Sequence, residues 1–136
     1  MGFQAAAGAQ GRAFEEIVER VLTMTGWTII ERRWREPGTG VEVDLVALDP
    51  DGERWWIECK GSWLSLSGRN GCNRSDTVKK FLGSAWVLST LGDRPRYMLV
   101  TSDRPSTTSV RSWLDLAEER GLVDRIEVVS TFAGRR

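Results

Sequence analysis

Two strand-like runs joined by a short turn constrain this chain more than any other feature. Val41-Glu42-Val43-Asp44-Leu45-Val46-Ala47-Leu48 is followed by Asp49-Pro50-Asp51-Gly52, and Arg54-Trp55-Trp56-Ile57-Glu58-Cys59-Lys60 runs back. Pro and Gly between runs of β-branched and aromatic residues signal a β-hairpin. Side chains alternate along a strand, so Glu58 and Lys60 share one face and Cys59 takes the other. Pairing of the two runs brings Asp44 beside them. Asp44 sits among Val43, Leu45, Val46, Ala47 and Leu48, apolar on both faces, where a carboxylate is costly to bury unless paired or bound to a metal. Two carboxylates and an ammonium converging at a sheet edge suit a Mg²⁺ site with a lysine near a water.

The remaining elements frame this hairpin. From Arg12 to Met24 the apolar residues Phe14, Ile17, Val18, Val21 and Leu22 recur at the spacing of one helix face, and Gly26 caps the end. Residues 1–10 are small and polar and read as a flexible tail or a first helical turn. Trp27 to Trp34 reads as a strand, and Pro37 to Gly40 as a turn. After Lys60 a Gly/Ser/Asn-rich stretch continues to Arg74, longer than an ordinary connection, as functional loops often are. Ser75 is an N-cap for a helix over about 76–90 whose core face is Val78, Phe81, Leu82, Ala85 and Leu88. Arg96 to Ser102 is a strand. Ser106 or Thr107 starts a last helix bearing Val110, Trp113, Leu114 and Ala117, closed by Gly121. Arg125 to Val129 is a final strand, before a basic Gly134-Arg135-Arg136 tail. The order α-β-β-β-α-β-α-β implies a mixed sheet with helices on both faces. At 136 residues, the chain is read as one domain over 1–136.

Composition removes competing chemistries. With no histidine, a Ser-His-Asp or Cys-His arrangement and a two-histidine zinc finger are excluded. No phosphate-binding glycine motif is present, so no nucleotide cofactor is expected. Cys59 and Cys72 are read as free thiols. No apolar stretch reaches the ~20 residues of a membrane span, and the expectation is a cytoplasmic protein without a membrane partner. Nineteen basic residues balance nineteen acidic ones. Local basic clusters, rather than a strong overall positive field, must therefore make any phosphate contact.

Asp44, thirteen residues, then Glu58-Cys59-Lys60 resembles the PD-(D/E)XK nuclease superfamily, with Val43 where the family name puts proline. Gly11-Arg12-Ala13-Phe14-Glu15 opens a helix like the one that supplies a further acidic residue in many members, and Gly26-Trp27 resembles the usual exit into the first strand. The nearest likeness is to Mrr-like and Holliday-junction-resolvase-like nucleases, by motif over about residues 11–60. The resemblance implies a three-layer α/β/α restriction-endonuclease-like core around a mixed central sheet. It also implies a metal-dependent deoxyribonuclease that hydrolyses DNA phosphodiester bonds with a metal-activated water. The expected cofactor is Mg²⁺, with Mn²⁺ as a substitute.

The expected metal ligands are Asp44, Glu58, the main-chain carbonyl of Cys59 (or that of Ile57) and Glu15, with Glu16 the alternative on the helix and Glu42 within reach. Lys60 is expected to orient the water and stabilise the phosphate as a charged group, since lysine is protonated at neutral pH. Arg69, Arg74, Lys79 and Lys80 form a basic cluster that fits a phosphate clamp, with the helix amino end adding its partial charge. Arg32, Arg33 and Arg35 form a second basic set, for which groove contact and plain surface stay open. Trp63 is read as a residue that stacks on an unpaired base or packs its own loop. Possible partners are DNA and a second copy or a targeting protein. The rival reading is a catalytically inactive nucleic-acid-binding or assembly module on the same fold.

Overall fold

The computed structural model describes the backbone of residues 3–61, 75–103 and 108–133. Its elements are α1 (Phe3–Met24), β1 (Thr28–Arg35), β2 (Glu42–Leu48), β3 (Arg54–Lys60), α2 (Ser75–Ser89), β4 (Arg96–Thr101), α3 (Thr108–Glu119), β5 (Arg125–Val128) and α4 (Val129–Ala133). The five strands lie side by side in chain order. β1, β2 and β3 pair antiparallel, whereas β3, β4 and β5 pair parallel through the crossover helices α2 and α3. The mixed sheet and the helix order are those expected. Among the described residues no helix is long and apolar enough to cross a membrane.

Each helix is held by its apolar stripe. Phe14, Val18 and Leu22 of α1 are buried against one sheet face with Leu45, Trp55, Ile57 and Cys59. Val78, Phe81, Ala85 and Leu88 of α2, with Val110 and Leu114 of α3, cover the other face over Val46, Trp56, Tyr97 and Leu99. Burying each large side chain contributes about 1.5–3 kcal/mol, so both faces of β2 and β3 are committed to the core. This explains why the hairpin reads as nearly continuous apolar sequence. Tyr97 stacks on Phe81 at 5.7 Å, and its hydroxyl is buried without a hydrogen-bond partner among the described residues.

The hairpin turn is organised by Asp49. Its Oδ1 accepts from Asp51 N and Glu53 N, both at 2.9 Å, and its Oδ2 accepts from Trp55 Nε1 at 3.0 Å. Gly52 takes φ 87°, a left-handed conformation suited to glycine. Gly26, at φ 94°, ends α1, while Trp27 N donates to Leu22 O at 3.0 Å.

Two features differ from the sequence reading. α1 begins at Phe3, so residues 3–10, expected as a tail or a first turn, extend the helix; Ala5, Ala6, Ala7 and Ala9 are strong helix formers. The last strand stops at Val128, and Val129 begins the short helix α4, which buries Val129 and Phe132 beside Trp27. Five residues starting with β-branched valine carry no helical period, so packing against α1 decides that segment. Trp86 of α2 is 63% exposed. Arg69, Cys72, Arg74, Trp63 and the basic tail lie outside the described residues.

Candidate active site

The site forms where β2 and β3 stop pairing. Their last pair is Leu45 with Ile57, which leaves Asp44 and Glu58 facing each other beyond the end of the ladder. Asp44 replaces the missing main-chain bond: its Oδ2 accepts the Cys59 N–H at 2.8 Å. Strand alternation also breaks here, because Val43 joins the α2/α3 core and Leu45, two residues on, joins the α1 core. Across the sheet, Arg33 lies between the pairs Arg32–Leu45 and Trp34–Val43, opposite Asp44, with a left-handed φ of 49°. Both strands are irregular at the same level. Irregular backbone that re-aims a side chain is a recurring device at functional sites.

Glu58 is only 5% exposed. Its Oε1 is buried without a hydrogen-bond partner among the described residues, and its Oε2 lies 3.8 Å from Lys60 Nζ. Burial, then the negative charge of Asp44, push the Glu58 carboxyl up to about 9 against the pull of Lys60. At neutral pH it therefore carries a proton. Glu15 projects from α1 toward the same place. Burial and then Asp44 push it up to about 7, and the nearby Arg33 guanidinium, whose Nη1 is 2.9 Å from Glu15 Oε2, opposes them. Glu42 adds a weaker repulsion to Glu15. Cys59 points to the α1 face, where burial and then Asp44 raise its thiol, so it is a protonated core group rather than a nucleophile.

The donor set has the chemistry of hard-cation ligands. Two carboxylates beside a strand-end carbonyl offer oxygen ligands only, and the orphaned Glu58 Oε1 is a buried acceptor that a cation would satisfy. Among the described residues no group of three or more His, Cys, Asp or Glu side chains is placed to hold a metal ion. Mg²⁺ commonly takes one or two carboxylates and keeps several waters. Asp44 and Glu58 supply two such carboxylates at the end of the β2–β3 ladder.

Of the residues singled out from sequence, Asp44, Glu58, Lys60 and Glu15 come together. Glu16 is exposed and Glu15 half-buried, so Glu15 is the helix carboxylate beside Asp44. Lys79 and Lys80 are exposed on α2, and the Lys79 ammonium lies 5.8 Å from the Trp113 ring centroid, facing α3. Two residues went unrecognised. Arg33 was one of three arginines without a role, and nothing in a run of consecutive basic residues signals a left-handed backbone. Gly61 follows Lys60 directly, and a Cβ there would lie 2.8 Å from Ser102 N. A glycine abutting a strand-end lysine was the available signal.

The topology identifies the architecture. This is a restriction-endonuclease-like fold. Residues 14–78, which contain the four gathered side chains, match the model described as Uncharacterised protein family UPF0102. The chain is 50% identical over 46 residues to a UPF0102 protein of Streptomyces coelicolor, a stretch covering 34% of this chain and 35% of that relative. A solved structure of SfsA from Pyrococcus furiosus, in complex with Ca²⁺, is similar with a TM-score of 0.51 at 23% identity, over 89% of this chain and 55% of that one. A repair endonuclease from Pyrococcus abyssi gives a TM-score of 0.48 at 20% identity, over 88% of this chain and 45% of that one. The chain thus spans about a third of the curated relative and about half of the solved ones.

Proposed function

We infer that this nuclease-like fold is a Mg²⁺-dependent deoxyribonuclease, acting in the cytoplasm and hydrolysing DNA phosphodiester bonds with water. One observation carries the reading: Asp44 and Glu58 meet where two core strands part, with a buried carboxylate oxygen left without a partner beside Lys60. A fold spends stability to bury such a group, and a cation that recruits it offers the compensating interaction. The DNA assignment rests on the likeness to PD-(D/E)XK nucleases.

Asp44, Glu58 and the Cys59 carbonyl would hold the metal, and Glu15 would join them only on leaving Arg33. When bound, Mg²⁺ supplies Lewis-acid polarisation of the phosphate and a more acidic water. As a ligand Glu58 would be ionised, its proton passing to solvent. Asp44 is already aligned by the Cys59 N–H, so its orientation precedes loading. Lys60, part-exposed at the end of β3, orients the attacking water and offsets the negative charge that builds on the phosphate. With little surface for reading sequence, a second copy or a targeting partner would share substrate choice.

The test is cleavage of a panel of labelled single-stranded, duplex, flap and junction DNAs with Mg²⁺ or Mn²⁺. Wild type should cut, while Lys60→Ala and Asp44→Ala should lose activity by ~10²-fold or more. Identical cutting by all three proteins, or none by wild type, would sink the assignment. DNA binding without cutting would instead favour the inactive module.

A further inference from the structure

Between α1 and β1, sharing Glu15 with the proposed metal site, lies a cavity of about 130 Å³ lined by Arg12, Arg32 and Arg33 with Glu15, Glu16 and Glu19. A regular strand sends adjacent side chains to opposite faces. The left-handed backbone at Arg33 breaks that alternation, and Arg32 and Arg33 both reach α1. Their pairings differ. Arg32 grips Glu19 with two nitrogens, Nε to Oε2 at 2.9 Å and Nη2 to Oε1. Arg33 gives Glu15 one nitrogen, Nη1 to Oε2 at 2.9 Å, and its side chain is half exposed. A guanidinium carries five donors in a planar fork that matches phosphate oxygens. Arg33 therefore keeps donors to spare beside the carboxylates, on a left-handed backbone that disfavours a side-chain-bearing residue.

We propose that Arg33 is an exchange residue: it holds Glu15 in the cation-free protein and, once a divalent cation takes Glu15, swings to grip a backbone phosphate of the nucleic acid. This rests on the nuclease reading and adds a coupling to it. Before loading, Arg33 keeps the acidic cluster from repelling itself open. After loading, the positive charge on Glu15's oxygens displaces the guanidinium, whose donors are then free for a phosphate. Cation and DNA then strengthen each other's binding through one side chain, and by linkage the effect is equal in both directions. Arg32, fastened by two bonds to Glu19, does not exchange.

The test uses Ca²⁺ as the probe, since it takes the same oxygen ligands. DNA affinity is measured by anisotropy of a labelled duplex with and without Ca²⁺, and Ca²⁺ affinity by calorimetry on DNA-free protein. Arg33→Ala should bind Ca²⁺ about 2–5-fold tighter without DNA, the range that a half-exposed ion pair supports, and lose a similar factor of the Ca²⁺ enhancement of DNA binding. Arg33→Gly should do the same while relieving the left-handed backbone, which separates the effect from misfolding. Glu15→Gln, with Arg33 freed, should bind DNA about 2–5-fold tighter in the absence of cation. Arg32→Ala should keep the full Ca²⁺ enhancement. Enhancement unchanged in both Arg33 variants, or lost equally in Arg32→Ala, would overturn the exchange alone. A wild type that takes up no Ca²⁺ and ignores it when binding DNA would overturn the nuclease reading and the exchange with it.

Discussion

Replacing Glu58 with glutamine should stabilise the cation-free protein while abolishing cleavage. The carboxyl sits at about 9 in the fold against 4.5 in the unfolded chain, chiefly through burial and then the Asp44 charge. Between those values the native state holds a proton that the unfolded chain has released, so stability falls as pH rises from 4.5 toward 9. Each pH unit in that window costs ~1.36 kcal/mol, which makes the loss about 3 kcal/mol at pH 7 and under about 1 kcal/mol at pH 5. Glutamine keeps the shape without the charge. In a chain of 136 residues the relief corresponds to a Tm about 7–10 °C higher at pH 7, with most of the gap gone at pH 5. Thermal melts of both proteins in chelator, followed by circular dichroism, measure it directly. Adding Mg²⁺ to wild type should close part of the gap by mass action and leave the variant unmoved. The same gap at both pH values, or a variant less stable at pH 7, would refute the account of Glu58 as an uncompensated buried acid.

Gly61→Ala places a Cβ 2.6 Å from Ser102 Oγ and 2.8 Å from Ser102 N; the second contact is backbone and cannot rotate away. A cost of about 1–3 kcal/mol in a urea melt is expected, with cleavage falling because the end of β3 carries Lys60. Asp49→Ala removes the acceptor of three turn hydrogen bonds and should cost about 2 kcal/mol in the same assay. Tyr97→Phe deletes a buried hydroxyl without a partner among the described residues, so its urea midpoint should match or exceed that of wild type. A loss above ~1 kcal/mol would show that the hydroxyl is satisfied.

Periodicity carried most of the architecture. The apolar stripes of α1 and α2, the hairpin and the strand order follow from 3.6- and 2-residue repeats, because solvent separation alone forces those faces inward. Short segments escaped it: α4 has too few residues for a period, and the start of α1 has no large apolar residue between Phe3 and Phe14 to mark one. At the site, Asp44, Glu58 and Lys60 were legible because charged side chains in an apolar hairpin demand a reason. Glu15 was separated from Glu16 by the rotation of α1, which places one beside Asp44 and leaves the other in solvent.

What the linear chain determined by itself is therefore the set of elements, their order and the chemical type of the site: oxygen donors and a lysine, with no histidine available. Tertiary structure decided where that chemistry sits and in what charge state. The parting of β2 from β3 after Leu45 and Ile57, the left-handed turn at Arg33 and the proton on Glu58 have no sequence period. They arise from contacts between residues far apart in the chain. Burial and the field of neighbouring charges exist only once the layers have closed around them.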